Sequence, residues 1–441
     1  MARVLTALEH EPIPITADGA GWSLTPTEAE RLAQIGELRR GFCEIGHRKV
    51  RLAQYCGVVG LGERVLEILP KTEDGGATPD ECRGVLLRLL RLTERFPQFQ
   101  HQPVGQHLRR VPLLEAFIAA FFDSVATVMR GGLLRRYEER AEDINVVRGR
   151  IAVPRQLGVL ANRPDVVACV FDELTADNVW NRVLKKALRV SRPWVRSVEL
   201  NRRWVELMGV LDEVDDGRLT GVEVTRLTFD RQADRYRTAI DWARWILALL
   251  APTLRGGRNE APALLFDMNR LFESSIAAVL RRRASAMAGV SVLEQDTSTR
   301  FGTITWAGRT EPSYSLRPDL VIRSGSTTVA IADTKWKVVG LDAKCRLLPD
   351  QDDLYQMHAY AAAYRCTDLA LIYPWRRELG RAAETEFHLP QADGRQPIVR
   401  VLCIDVQDDR LPLRLGGSAS VAAALLSGRT SVNQLCDLEV A

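Results

Sequence analysis

Two aspartates and a lysine stand close together in the last third of the chain. Asp319 lies in Arg317-Pro-Asp319, and fourteen positions on come Asp333 and Lys335 in Asp333-Thr-Lys335. Carboxylates are hard oxygen ligands suited to a cation such as Mg²⁺, and an ammonium beside them is a fixed positive charge. Phosphodiester hydrolysis uses such a set: a divalent cation to polarise the phosphate and activate water, and a lysine to steady that water or the developing charge. Only seven of the 60 basic residues are lysines, at 49, 71, 185, 186, 335, 337 and 344. A lysine kept at this place in so arginine-rich a chain suggests that a compact ammonium is wanted there.

The surrounding residues determine how the three groups meet. The β-rich run that ends at Arg323 and the run Val329–Lys337 are joined by Ser324–Thr328, a Ser/Gly/Thr turn, so the segment reads as a hairpin. Alternation puts Asp333 and Lys335 on one strand face, and antiparallel pairing brings Asp319 to the same end. Val329-Ala-Ile-Ala is apolar without interruption, the pattern of a strand buried on both faces. A helix is predicted over Asp350–Arg365, capped by Asp350 or Asp352, with Gln356 and Tyr360 one turn apart on one face. A second helix, from Leu265 through Leu280, carries Glu273 and turns 268, 272, 276 and 279 inward. Strands at Val290–Glu294, Thr299–Trp306, Leu369–Tyr373, Thr385–Leu389 and Ile398–Asp405 complete an α/β pattern, and Ser418–Gly428 reads as a short terminal helix.

At 441 residues the chain has room for two or three domains, and 46% hydrophobic with 26% charged content is that of a soluble globular protein. The composition divides into a β-rich part over 1–105, a mainly helical part over 106–260 and an α/β part over 261–441, an α+β multidomain arrangement. The first part has a helix at Thr25–Arg39, strands at Arg48–Gln54 and Gly57–Leu69, and a helix at Pro79–Arg95. Gly60-Leu61-Gly62 reads as a hairpin turn rather than a phosphate loop, and Asp74–Gly76 and Phe96–Gly105 as turn or linker. The second part has a long apolar helix at Leu113–Tyr137, a strand at Val166–Phe171, and a helix opened by Asp172–Asn178. Capping and dipole compensation account for Asp172, Glu173 and Asp177 better than a metal cluster does. Arg148 and Arg150 flank a glycine, suiting either a phosphate contact or a turn with acidic partners.

A net charge of +4 forces no general polyelectrolyte binding, so any nucleic-acid contact must be local. The eight cysteines form no C-x-x-C pair, which argues against zinc and for a reducing, cytoplasmic setting. The longest strongly apolar stretch, Trp245–Pro252, is too short to span a bilayer, and Met1–His10 lacks a secretory pattern. There is no G-x-x-x-x-G-K-[ST], hence no P-loop of its own.

With these pieces placed, Pro318-Asp319 and Asp333-Thr-Lys335 resemble the motif of the PD-(D/E)xK nucleases, and Gln356-x-x-x-Tyr360 resembles their RecB-like branch. Phe266–Glu273, Arg317–Asp319, Asp333–Lys337 and Asp353–Tyr360 together are similar to McrC, the nuclease subunit of McrBC modified-cytosine restriction systems. Ile68–Lys71, Arg148–Arg150 and Phe171–Leu174 through Asn181 fit the same family. The resemblance implies that Asp319 and Asp333 bind Mg²⁺, that Glu273 completes the metal site, that Lys335 orients the attacking water, and that Gln356 and Tyr360 support it. It implies a C-terminal PD-(D/E)xK domain and an N-terminal half docking on McrB, a hexameric AAA+ GTPase that translocates double-stranded DNA and carries the reader of the modified cytosine. The expected function is a Mg²⁺-dependent endonuclease subunit of such a system. A stand-alone RecB-like nuclease, or a chain serving mainly as an adaptor that activates the motor, are the alternatives.

Overall fold

A computed structural model describes residues 3–415 apart from 72–76, 94–110, 217–218, 252–262, 286, 288, 384, 391–393, 395 and 409. The expected linkers at Asp74–Gly76 and Phe96–Gly105, the helix at Ser418–Gly428 and the divisions near 105 and 260 lie outside the described residues.

In chain order the first elements are β1 (Arg3–Leu8), β2 (Pro12–Pro14), α1 (Pro26–Leu38), β3 (Cys43–Ile45), β4 (Lys49–Leu52), β5 (Tyr55–Gly60), β6 (Arg64–Leu69) and α2 (Pro79–Leu92). Thr25 starts α1 through a capping box with Glu28, and Thr78 starts α2 through one with Glu81. In each, two backbone donors that a helix start leaves open are satisfied reciprocally. Gly60-Leu61-Gly62 leads into the turn of the β5–β6 hairpin.

The middle elements are α3 (Leu113–Arg130), β7 (Arg136–Ile144), β8 (Arg150–Ile151), α4 (Val153–Gly158), β9 (Val167–Thr175), α5 (Val179–Ser191), α6 (Val198–Val210), α7 (Gly221–Arg226) and α8 (Arg237–Leu250). Helices dominate, but β7, β9 and β8 form an antiparallel sheet that the mainly helical reading omits. The predicted helix Leu113–Tyr137 stops at Arg130, because Gly131-Gly132 follows and Gly132 takes a left-handed φ of 79°. Asp172 and Glu173 do not open a helix. They lie within β9, paired to Glu139 and Glu138 of β7, and Asn178 caps α5 instead. Arg148 and Arg150 sit at a turn with acidic partners, Glu173 at 3.7 Å and Glu139 at 3.7 Å.

The last elements are β10 (Ala263–Asp267), α9 (Met268–Ala284), β11 (Val290–Glu294), β12 (Thr303–Trp306), β13 (Arg309–Pro312), β14 (Leu320–Ser324), β15 (Thr327–Thr334), β16 (Gly340–Leu341), β17 (Leu347–Leu348), α10 (Gln351–Tyr364), β18 (Asp368–Pro374), β19 (Glu386–His388), β20 (Ile398–Ile404) and β21 (Leu413–Leu415). A seven-stranded mixed sheet runs β11-β14-β15-β18-β20-β19, with β21 beside β20. β14 and β15 form the expected antiparallel hairpin, and β15 pairs parallel with β18 through the crossover helix α10.

Alternation along this sheet sorts its side chains into two layers. Ala330, Ala332, Ala370, Ile372, Leu402 and Ile404 join the core that contains α9, α2 and α3. Ile331, Leu369, Leu371, Val399, Val401 and Cys403 pack with Met357, Tyr360 and Ala361 of α10. On α9, Met268, Phe272, Ile276 and Val279 are buried as the helical period requires. The first of these layers does not stop at the seven-stranded sheet. It continues through residues of β1, β5, β6, α5 and α8 as one apolar body. β10 is the edge strand of the N-terminal sheet β1-β6-β5-β10, antiparallel to β5. Gly57 permits that approach: a Cβ there would fall 1.9 Å from the carbonyl oxygen of Leu264.

Candidate active site

Asp333 and Lys335 sit at the carboxyl end of β15, which has an antiparallel neighbour on one edge and a parallel one on the other. Open α/β sheets place ligands at such points. Asp319 immediately precedes β14, whose Leu320 is opposite Ala332, so the hairpin register carries Asp319 to the same end. The Thr334 amide and hydroxyl both donate to Asp319 Oδ2, at 2.7 and 2.8 Å, fixing one carboxylate oxygen from the neighbouring strand.

The α10 residues finish the frame. Lys335 Nζ is 2.6 Å from Asp333 Oδ2 and donates to Gln356 Oε1 at 3.0 Å. Gln356 Nε2 donates to Asp333 Oδ1 at 3.2 Å and to the Tyr360 hydroxyl at 2.8 Å. That hydroxyl donates in turn to the Arg317 carbonyl at 3.1 Å, tying down the segment that leads into Asp319. The Gln356 amide therefore has one sensible orientation, its oxygen toward the ammonium and its nitrogen toward the carboxylate. Asp353, one turn before Gln356, lies 3.5 Å from Lys335 and 2.8 Å from Lys337, and accepts from Tyr373 at 3.0 Å.

The charges do not balance within this cluster. Burial, reinforced by the Asp319 charge, pushes Asp333 up to about 6. Burial and the same Asp319 charge push Glu273, on the facing helix α9, up to about 7. Asp319 is also raised by burial, against the Thr334 hydrogen bonds. Lys335 is held above its ordinary value because the carboxylates, Asp333 foremost, outweigh its own desolvation. Asp353 goes the other way: Lys337 and Lys335 overcome burial and keep it low. With Asp353 matched to Lys337, three carboxyls remain around one ammonium. Glu273 Oε1 is buried without a hydrogen bond, and Asp333 Oδ2 has the ion pair to Lys335 but no hydrogen bond of good geometry.

That deficit of positive charge is what a bound cation would relieve. Among the described residues no three His, Cys, Asp or Glu side chains gather tightly enough to make a complete ligand cage. The arrangement suits Mg²⁺ nevertheless, since that ion is usually held by one or two carboxylates, with waters and substrate phosphates filling the remaining positions.

The structure brings five of the six residues singled out in the sequence into one bonded cluster, and the sixth, Glu273, only within reach of its charge. Asp319, Asp333, Lys335, Gln356 and Tyr360 are linked by direct bonds or through Thr334 and Arg317, while Glu273 of α9 is related to Asp319 and Asp333 through charge alone. Sequence reasoning passed over Thr334, Asp353 and Lys337. Asp353 lies three residues before Gln356, and that helical spacing was the available signal. Also unforeseen is Trp336, between the two lysines, whose indole donates to Glu9 Oε1 at 2.9 Å.

A family model described as McrBC 5-methylcytosine restriction system component matches residues 50–374, well over half of the chain. The chain belongs to this family. No curated protein matches its sequence. Its fold is similar to that of a chain in the half-complex from the tetradecameric assembly of Thermococcus gammatolerans McrB AAA+ hexamers with bound McrC. The identity is 20%, the coverage 96% of this chain and 98% of that one, and the TM-score 0.63. A second match, to the cryo-EM structure of the Thermococcus gammatolerans McrBC complex, covers 64% of this chain and 88% of that one at 21% identity, with a TM-score of 0.43. In this McrBC-family chain, no helix among the described residues is long and apolar enough to cross a membrane.

Proposed function

We propose that this McrBC-family chain is the Mg²⁺-dependent DNA endonuclease subunit of its restriction system, with a C-terminal PD-(D/E)xK domain. It docks on an McrB-like AAA+ GTPase hexamer, stimulates that motor, and cuts double-stranded DNA whose modified cytosine the partner reads. The observation that carries this reading is the convergence of Asp319, Asp333, Glu273 and Lys335 at one sheet end with Gln356 and Tyr360 bracing them. The similarity in fold to the Thermococcus gammatolerans assembly of McrB hexamers with bound McrC supports the choice of partner.

The geometry suggests a division of labour. Asp319 and Asp333 would hold Mg²⁺, with Glu273 adding negative charge from α9, and the ion would supply positive charge at the scissile phosphate and make water more acidic. Thr334 orients Asp319 by two bonds to a single oxygen, so the other oxygen can be aimed outward. Lys335 stays protonated and serves as a fixed donor to the attacking water or to the charge growing on the phosphate oxygens. Gln356 accepts a second bond from that ammonium while it is paired with Asp333, and Tyr360 fixes Gln356.

The test is cleavage of plasmid carrying modified cytosine in Mg²⁺, with and without the motor and GTP. Cutting should require both, and should vanish in Asp333→Asn, which removes a charged ligand while nearly preserving shape. The double variant Asp319→Asn/Asp333→Asn should cut nothing yet still bind the motor and stimulate its nucleotide hydrolysis. Failure of the complete wild-type system to cut refutes the nuclease assignment. Vigorous cutting without the motor favours the stand-alone alternative.

A further inference from the structure

The hairpin β12–β13 leaves the body of the protein a few residues before Asp319 and joins none of the larger sheets. Residues 300–312 are exposed throughout. Its turn is Ala307-Gly308, with φ of 45° and 77°, the two left-handed residues of a tight hairpin turn that matches strand twist. A lone two-stranded ribbon has little to hold it in water, but this one is anchored at its root. Backbone bonds Phe301 N to Tyr314 O at 2.8 Å and Leu316 N to Thr299 O at 3.1 Å extend the ladder to its base. There the Tyr364 hydroxyl of α10 donates to Asp296 O at 3.2 Å, and Arg323 of β14 reaches Asp296 at 2.9 Å.

The register sorts the two faces. Trp306 is opposite Arg309 beside the turn and Ile304 opposite Glu311, while Thr305 and Thr310 are opposite on the other face with hydroxyls 2.9 Å apart. Trp306 is 55% exposed and Phe301 and Tyr314 more so, yet none of these rings is needed for a core. Arg300 and Arg309 are the only charged residues from Thr297 to Thr310. A tip that offers an indole and a guanidinium side by side, with the one acid of that face, Glu311, a cross-strand pair further in, matches a polymer with apolar sugar and base edges and a negative backbone. Asp319 is ten residues from Arg309, so at about 3.3 Å per strand residue the tip extends up to about 30 Å from the site. That is the length of roughly nine base pairs at about 3.4 Å each.

We propose that the β12–β13 hairpin is a DNA-contacting wing of the nuclease site, with Trp306 packing on a sugar or base edge and Arg309 on a backbone phosphate of the flanking duplex. The inference rests on the reading that the substrate is duplex DNA. It makes the wing, rather than the catalytic cluster, responsible for holding the duplex in place.

The test uses full-length chain carrying Asp333→Asn as a non-cutting reference, and a fluorescein-labelled 40-base-pair duplex followed by anisotropy over a salt series. Added Trp306→Ala should weaken binding several-fold through the lost apolar contact, and Trp306→Phe should restore most of it. Added Arg309→Ala should flatten the plot of log affinity against log salt by about 0.9, one phosphate contact. In the otherwise wild-type chain with its motor, the same substitutions should raise KM and leave kcat nearly unchanged. Unchanged affinity and salt slope in a chain that still cuts DNA overturns the wing, as does a reference chain that does not bind the duplex. A Trp306→Ala chain with normal DNA affinity but lost stimulation of the motor also overturns it, and makes the hairpin a motor contact. If the reference binds DNA through the wing but the wild-type system never cuts, the wing stands and the nuclease assignment falls.

Discussion

Glu9 offers the sharpest physical test because it is buried in the joint between the N-terminal sheet and the segment that follows β15. Its Oε1 accepts from the Trp336 indole at 2.9 Å and from the Lys71 amide at 2.8 Å, and burial pushes its pKa up from 4.5 to about 7 despite those bonds. A tenfold change in proton affinity corresponds to about 1.4 kcal/mol, so the ionised carboxylate costs about 3 kcal/mol of folding stability at pH 8. Because the folded pKa is the higher one, the folded state binds more protons between pH 4.5 and 7. Its contribution to stability is intact below the unfolded value and is lost as pH rises through 7. Glu9→Gln retains an oxygen for both donors and removes the charge. Thermal unfolding of the variant and wild type, compared at about pH 4.5 and about pH 8, should differ little at the lower pH. At the higher one the variant should melt later, by a few degrees for a unit of about 400 residues. Cleavage should be unaffected, since the indole keeps its acceptor. Equal differences at both pH values, or a variant that is less stable at the higher pH, would refute the claim that an unfavourable charge is buried there.

Two further substitutions probe the cluster. Lys335→Arg keeps the charge but replaces a compact ammonium by a larger planar group, and should cut at least ~100-fold more slowly; near-normal single-turnover rates would make Lys335 a bystander. Thr334→Val deletes one of the two donors to Asp319 Oδ2, a bond to a charged group that typically contributes about 1.5–3 kcal/mol. It should therefore raise the Mg²⁺ concentration for half-maximal cleavage about tenfold or more, and an unchanged Mg²⁺ titration counts against Thr334 as the aligner of Asp319.

Local signals carried the site further than they carried the architecture. The apolar run at Val329–Ala332, the alternation through Asp333 and Lys335 and the helical spacing of Gln356 and Tyr360 are encoded by neighbours, and they put these groups on one face. What local patterns cannot encode is partnership over distance. β10 joins β5 and Trp336 meets Glu9 across 327 positions. Strand β7, Arg-Tyr-Glu-Glu-Arg-Ala-Glu-Asp-Ile, is made largely of residues that favour helix, and its pairing with β9 overrides that preference. The same pairing extends β9 through Asp172 and Glu173, whose acidic character looked like a helix start. Gly131-Gly132, by contrast, was a readable stop for α3 that the apolar period obscured.

The pairing of β10 with β5 at Gly57 bears on how portable the candidate site is. A fragment beginning at residue 263 would keep every residue of the cluster, yet β10 would lose its only sheet neighbour and α9 would lose the α2 surface it packs on. It would also part with the Ser275 hydroxyl bond to Leu89 O and uncover the apolar layer shared with β5 and α3. Such a piece keeps the layer between the sheet and α10 but leaves its other face open. The elements that share this layer should accordingly unfold together, and transplanting the site into another scaffold would mean carrying the N-terminal sheet along with it.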